Sequence, residues 1–219
     1  MILVLIVIGL AVVAGLLAGG SLRRLEQVKL HWWGVALGGL ALQGISLTSS
    51  LDPPVGSVLL IASYALLLAF AWINRRLPAA WLVIAGLALN ILVIVVNQGM
   101  PVSASAIETA GARAEGLVGT GTGKHHLMGP EDTLTPFADV IGIPPPIGAV
   151  ISIGDVLLYA GVAILVVALM LGRSGENRRP PARRFQGYRG KHLPPELRFD
   201  GLAHRRRAPL AEGTSGTGP

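Results

Sequence analysis

Apolar runs of membrane-spanning length constrain this chain more than any other feature of its sequence. Four runs are nearly continuous in Leu, Val, Ile, Ala and Gly, at about residues 1–19, 55–73, 79–96 and 153–172. Each is close to the roughly 20 residues that an α-helix needs to cross the hydrocarbon of a bilayer. A further run, at about residues 32–48, is shorter, rich in Gly and contains Gln43. We predict a span there too, because the charges that flank the runs require it.

The connections between the runs alternate between basic and non-basic. Arg23, Arg24 and Lys29 follow the first run, and Arg75-Arg76 follows the third. The connection after the second run, LDPPVG, has no Lys or Arg. Lys and Arg concentrate in the cytoplasmic connections of membrane proteins. The alternation therefore predicts an all-α bundle of about five transmembrane helices, with the N-terminus outside and the C-terminus in the cytoplasm.

The basic charge of the chain belongs to its C-terminal segment. Residues 173–219 hold 11 Lys/Arg and 4 Asp/Glu, whereas residues 1–172 hold 7 and 8. The segment is rich in Pro, Gly and Arg, a composition that does not bury enough apolar surface to order a chain. We predict a transmembrane domain over 1–172 and a disordered cytoplasmic tail over 173–219 that contacts anionic lipids. Aromatic residues among its arginines raise RNA as an alternative ligand, but we expect no nucleic acid.

The segment between the fourth and fifth spans, residues 97–152, is too long and too apolar for a simple loop. Gly99 and Pro101 are typical of the end of the fourth helix, with Gly99 in a left-handed conformation. The pattern Ser105-Ala-Ile-Glu108 is a capping box, which predicts a short helix to about Ala114.

The second half of this segment carries two more helix-start signals. Thr135-Pro136 has the pattern of an N-cap followed by proline, and predicts a helix on the outer leaflet that stops at Gly142. Residues 144–146 are three prolines, predicted to form an extended spacer. The pattern Ser152-Ile-Gly-Asp155 is a capping box that opens the fifth span.

The order of four motifs resembles a known family. The motifs are NQGMPVS, KHHLM, TLTPFADVIGIP and SIGDVLLYAG, beginning at residues 97, 124, 133 and 152. They resemble an uncharacterised family of small bacterial inner-membrane proteins, a domain of unknown function, over residues 1 to about 172. The resemblance implies a polytopic protein of the bacterial cytoplasmic membrane and supplies no catalytic residues.

Polar residues within the apolar runs are the first candidates for a site. Asn90 and Asn97 lie seven residues apart and share a face of the fourth span, and Gln43 lies in the second. Together they are candidates for a polar seam along a substrate path; the alternative is hydrogen bonding between helices. Asp155 is a functional candidate as an ionisable residue in a membrane helix. The alternative is that Asp155 only caps the helix with Ser152.

The outer segment supplies the second group of candidates. His125 and His126, with Asp139 and Asp155, are candidates for acid–base chemistry. Adjacent histidines normally point apart, and no H-E-x-x-H or comparable metal spacing is present. The chain has no cysteine. We therefore predict no metal and no cofactor, and favour a solvated loop for the histidines.

Three functions remain open at the level of the sequence. The leading hypothesis is a non-enzymatic scaffold or accessory subunit that contacts a membrane-protein partner. The second is a transporter or channel component that uses the seam on the fourth span. The third is an enzyme acting on a lipid-linked substrate at the outer leaflet. Because no catalytic set has a recognisable spacing, we favour a protein without enzymatic activity.

Overall fold

The computed structural model describes residues 2–47, 53–111 and 125–173. The predicted tail, apart from Arg173, lies outside these residues, as does the Gly/Thr-rich stretch that ends at Lys124. Within the described part the protein is mostly helical. The helices are α1 (Ile2–Leu17), α2 (Arg23–Glu26), α3 (Trp33–Leu47), α4 (Pro53–Ile73), α5 (Ala80–Asn97), α6 (Ala104–Ala110) and α7 (Ile153–Met170).

The five apolar helices begin and end within a few residues of the five predicted runs. Three of them are long and apolar enough to cross a membrane: α5, α7 and residues Val55–Ile73 of α4. The helices α1 and α3 have 16 and 15 residues and are also apolar. The prediction of a predominantly helical, apolar protein is thus confirmed.

The long helices pack as a row of neighbours in the order α3, α4, α5, α7, α1. From α3 to α7, neighbouring helices of this row run antiparallel. Gly39 of α3 packs against Ser63 and Leu67 of α4, and Gly86 of α5 packs against Gly154 and Leu158 of α7. Small residues at these positions let the helix backbones approach closely. Two buried apolar clusters result, one centred on Leu60, Val93 and Ile94 and the other on Ala71, Ile84 and Leu87.

The described residues between α5 and α7, 98–111 and 125–152, form a small α/β unit that we call the cap. Its strands are β1 (Met100–Val102), β2 (His125–Leu127), β3 (Ile141–Ile143) and β4 (Ala149–Ile151). The first two pair in parallel, and the last two form an antiparallel hairpin. On its other side, β1 bridges to Asp139, whose N–H donates to Pro101 O at 3.1 Å. The fold is therefore not purely α-helical, and the all-α prediction is wrong for the outer segment.

The predicted helix after Thr135 is absent. Thr135 is not an N-cap; it is the first residue of a single 3-10 turn, Thr135–Phe137, which follows Leu134 in a left-handed conformation. The chain then forms β3 and turns through the prolines into β4, so these prolines lie in a hairpin loop rather than a spacer. The β-branched Ile141 and Ile143 favour a strand. Ile143 also precedes a proline, and the helical backbone conformation is disfavoured for a residue in that position. Gly142 lets β3 lie directly on Ala106 and Thr109 of α6.

The start of the cap also differs in detail from the prediction. The left-handed residue after α5 is Gln98 rather than Gly99, with φ of 56°. The short helix begins earlier than predicted, with Ser103 as its N-cap, and it ends at Ala110 because Gly111 adopts a left-handed conformation. Ser105 lies inside this helix, where its hydroxyl is 2.9 Å from that of Ser103.

Charge is segregated along the helix axes. All Lys and Arg residues of the described part lie at the end of the helices opposite the cap, which we call the basic end. The same end holds the four tryptophans, and Arg75 stacks on Trp72, 5.1 Å from the ring centroid. Trp72 in turn meets the edge of Trp81 at 5.5 Å. The members of the basic end are Arg23, Arg24, Lys29, Trp32, Trp33, Trp72, Arg75, Arg76, Trp81 and Arg173.

Candidate functional site

A group of polar side chains joins α4, α5 and α7 inside the helical part of the protein. We call it the polar helix cluster; it consists of Tyr64, Asn90, Ser152 and Asp155. Asn90 and Ser152 are completely buried. The Asn90 Nδ2 donates to Asp155 Oδ1 at 2.8 Å, and Ser152 Oγ donates to Asn90 Oδ1 at 2.9 Å. The Tyr64 side chain of α4 lies beside Asn90.

The cluster exists because the N-terminus of α7 begins below the outer end of α5. Asn90 lies seven residues before Asn97, the last residue of α5, which corresponds to about 10 Å along the helix. Its contact with Ser152 therefore places the first turn of α7 inside the bundle. A buried helix N-terminus leaves backbone N–H groups that need acceptors. Ser152 Oγ accepts from Asp155 N at 3.0 Å, and Asp155 Oδ2 accepts from Ser152 N at 3.1 Å.

The close approach of α5 and α7 at this level depends on glycine. A Cβ on Gly154 would overlap the side-chain oxygen of Asn90, and a Cβ on Gly86 would overlap the carbonyl oxygen of Gly154. The polar helix cluster also lies between the two buried apolar clusters, and Tyr64 packs against both. The site is thus a hydrogen-bonded joint between helices, in which Asn90 and Ser152 are buried and Asp155 is partly exposed.

The cap holds two histidine–carboxylate pairs on adjacent residues of β2. His125 Nε2 lies 3.5 Å from Asp139 Oδ2, and His126 Nε2 lies 2.8 Å from Asp132 Oδ1. Asp139 is buried, with 6% of its surface exposed. Because successive side chains of a strand point to opposite faces, the two histidines have different partners. They lie on a strand rather than in the solvated loop that we favoured.

The Asp132 carboxylate also fixes the turn that follows β2. Its Oδ2 accepts from Gly129 N at 2.8 Å. Partial desolvation acts to raise the pKa of Asp132, but the Gly129 N–H and the His126 ring outweigh it and hold that pKa below its ordinary value. Hydrogen bonds to the charged form of a carboxylate have this effect.

The predicted seam of Asn90, Asn97 and Gln43 is not assembled as one path. Asn97 belongs to the cap junction: its amide exchanges two hydrogen bonds with the backbone of Thr133, at 2.8 and 2.9 Å. Gln43 lies on α3, which packs on α4, whereas Asn90 faces α7. The structure therefore separates these three residues into three environments.

Sequence reasoning missed several residues that act alongside the candidates. Tyr64 joins Asn90 from α4, and the only signal for it is a hydroxyl in a largely apolar stretch. Asn74 reproduces at the basic end what Asn97 does at the cap, since its amide pairs with the backbone of His31 at 3.0 Å in both directions. Arg24 caps the other end of α7, donating to Met170 O at 3.0 Å.

No group of three or more His, Asp or Glu side chains arranged to hold a metal ion is present among residues 2–47, 53–111 and 125–173. A groove in the same part of the protein lies elsewhere, between α1 and α7, and none of His125, His126, Asp139 or Asp155 lines it. The candidates make side-chain hydrogen bonds that hold helix ends and loops in place.

A row of apolar helices with a charged α/β cap defines a class of helical protein that is compatible with a membrane. Comparison with family models identifies the family within this class. Residues 27–167 match a family of unknown function (DUF5317), and because this is more than half of the chain, the protein belongs to that family. The predicted membership of an uncharacterised family is confirmed. No curated protein and no solved structure matches the chain.

Proposed function

We propose that this protein is a five-span protein of the bacterial cytoplasmic membrane, with its N-terminus and cap outside and its basic end in the cytoplasm. The segregation of charge supports this orientation. The cap and the first turn of α7 carry Glu108, Glu131, Asp132, Asp139 and Asp155, whereas the described Lys and Arg residues share the basic end. Arginine and tryptophan together are typical of the cytoplasmic membrane interface. The two shorter helices, α1 and α3, span by local thinning of the bilayer or by interfacial anchoring.

We propose further that it acts as a non-enzymatic scaffold or accessory subunit whose cap binds a membrane-protein partner. The observation that carries this proposal is exposed apolar surface on the cap. Lipid accounts for exposed apolar residues along the helices, but the cap lies beyond the helix ends. Leu127, Phe137, Ile141 and Ile147 are nevertheless 52%, 38%, 37% and 36% exposed. A contiguous apolar patch on a soluble surface marks an interaction site, and we propose that these four side chains form one.

The state of the polar residues supports the same function. His125, His126, Asp139 and Asp155 each contact another polar side chain of this chain. A transport path or an active site needs an open polar cavity beside such groups. In the polar helix cluster, Asn90 and Ser152 are instead completely buried, and Tyr64 packs against two apolar clusters. The hydrogen bonds of the polar helix cluster brace the cap against the helices, so that the cap presents one fixed surface.

Site-specific photo-crosslinking in living cells tests the proposal. A photoreactive phenylalanine analogue replaces Ile147 in the cap, and the matched control carries it at Val58 of α4, which is 64% exposed on the helical surface. We expect a discrete protein adduct from position 147 and only lipid adducts from position 58. Identical adduct patterns at the two positions would contradict the partner-binding role. An adduct made of two copies of this chain would replace the accessory role with self-association.

A further inference from the structure

The helices α1 and α7 enclose a lateral groove. Its volume is about 560 Å³, and its walls are apolar except for Tyr159 at one end and Arg173 at the other. Alanines on both helices, among them Ala11 and Ala14 of α1 and Ala163 of α7, leave the space open. The two helices run parallel, and near the basic end Gly15 contacts Met170.

The length of the groove matches one leaflet of a bilayer. Leu171 lies twelve residues after Tyr159, which corresponds to about 18 Å of helix. Half of the hydrocarbon core of a bilayer is about 15 Å thick. An acyl chain that enters from the basic end therefore fits along the groove as far as Tyr159.

The basic end of the groove suits an anionic head group. Arg173 lines the groove there, and the Arg24 guanidinium lies beside Gly172, one residue away. Arg24 Nη1 already donates to Met170 O, which fixes its position. The Arg173 guanidinium has no hydrogen-bond or ion-pair partner within residues 2–173 that the structure describes. Glu26 is the one acidic residue of the described chain at this end, so the local charge is positive.

We infer that this groove is a binding site for an anionic phospholipid of the cytoplasmic leaflet. One acyl chain lies between α1 and α7, and Arg173 binds the phosphate. Arginine suits phosphate because its planar guanidinium donates two parallel hydrogen bonds. The inference rests on the proposed membrane orientation, which places the basic end in the cytoplasm.

Lipid titration of the purified full chain in detergent, followed by native mass spectrometry, tests the site. The probes are phosphatidylglycerol and phosphatidylcholine with identical acyl chains, and glycerol phosphate without acyl chains. Both lipids carry a phosphate, but the choline cation of phosphatidylcholine cancels the negative charge of its head group and is repelled by Arg173 and Arg24. We therefore expect phosphatidylglycerol to bind about fivefold more tightly, the value of one basic residue near an anionic lipid. Glycerol phosphate is expected not to bind detectably, because it lacks the chain that fills the groove.

Two pairs of variants separate the head group from the chain. Arg173→Gln is expected to abolish the fivefold preference, whereas Arg76→Gln, a cation at the same end outside the groove, retains it. Ala163→Leu is expected to weaken both phospholipids equally, whereas Ala65→Leu, on the exposed face of α4, leaves them unchanged. A preference that persists in Arg173→Gln, or equal effects of the two leucine variants, would overturn the site. Labelling of Gln27→Cys at the basic end by an impermeant maleimide in intact cells separates such a failure from a failure of the proposed membrane orientation.

Discussion

At the residue scale, a single amide carries the joint between α5 and α7. Asn90 donates to Asp155 and accepts from Ser152, so both halves of its side chain are used. Its burial is tolerated because these bonds replace those that water would make. Without Asn90, Asp155 would still cap its helix through Ser152, but it would lose its partner on α5.

We expect Asn90→Ala to destabilise the protein by about 1–2 kcal/mol. Interhelical hydrogen bonds in membranes average about 0.6 kcal/mol, two of them are lost, and a small cavity adds to the loss. Reversible unfolding in mixed micelles measures the difference. Gln43→Ala is the matched control, because Gln43 is an amide in an apolar helix with no hydrogen-bond partner among the described residues. Equal losses for the two variants would show that the joint contributes nothing specific.

Gly154 is the residue that sets the distance between the same two helices. A methyl group there would overlap the Asn90 side chain, whereas a methyl group on Gly44 of α3 meets nothing within 4 Å. We expect Gly154→Ala to lower the free energy of unfolding by about 1–3 kcal/mol, the usual cost of overpacking. Gly44→Ala is expected to leave the free energy of unfolding unchanged or to raise it by up to about 1 kcal/mol, because Ala favours a helix interior over Gly. Thermal unfolding of the two variants in the same detergent makes the comparison, and the reverse order would refute the close approach of α5 and α7.

At the scale of elements, α7 is the helix that other elements hold at both ends. Asn90 reaches its first turn, while Arg24 and the Ser21 N–H reach the Met170 carbonyl at its last. The last carbonyls of a helix favour a cationic donor such as Arg24. The cap is built from short strands that depend on side-chain contacts, because strands of three residues contribute few hydrogen bonds of their own.

One of those contacts makes the cap sensitive to acid. The pKa of Asp132 is lower in the folded protein than its ordinary value near 3.9. A carboxylate with a depressed folded-state pKa contributes stability above its unfolded pKa, and this contribution is lost as the pH falls through the folded pKa. We therefore expect the protection of residues 126–129 against hydrogen exchange to fall below about pH 4.

The measurement is hydrogen–deuterium exchange with correction for the intrinsic rate at each pH. Asp132→Asn is expected to show weaker protection at neutral pH and no transition in this window. Glu131→Gln alters the neighbouring, exposed carboxylate and is expected to leave the transition in place. A transition that survives in Asp132→Asn would assign the acid sensitivity to another group.

At the scale of the whole molecule, the segregation of charge predicts which parts face each side of the membrane. The chain has no cysteine, so a single introduced cysteine reports on one position. We expect a membrane-impermeant maleimide to label Ile147→Cys in the cap of intact cells. Gln27→Cys, at the basic end, is expected to react only after the membrane is opened. Labelling of Gln27→Cys in intact cells would contradict the proposed orientation.

The helices were predictable because their signal is local. Each apolar run is long enough to specify a helix by itself, and the capping box at Ser152 needs only residues within one turn. The cap was not predictable to the same degree. The pattern at Thr135-Pro136 is a valid helix start, but the pairing of β3 with β4 and the packing of Gly142 on α6 outweigh it. Strand pairing joins residues that are distant in sequence, and such contacts leave no periodicity in a three-residue strand.

The sequence by itself determined the positions of the apolar helices, the concentration of positive charge in their connections and the capping box at the start of α7. Each of these depends on composition or on neighbours within a few residues. Only the tertiary structure decided which polar residues meet. It placed Asn90 on Ser152 and Asp155, Asn97 on the Thr133 backbone, and His125 beside Asp139. These contacts depend on the depth at which α7 enters the bundle and on the path of the cap, which packing between distant segments sets.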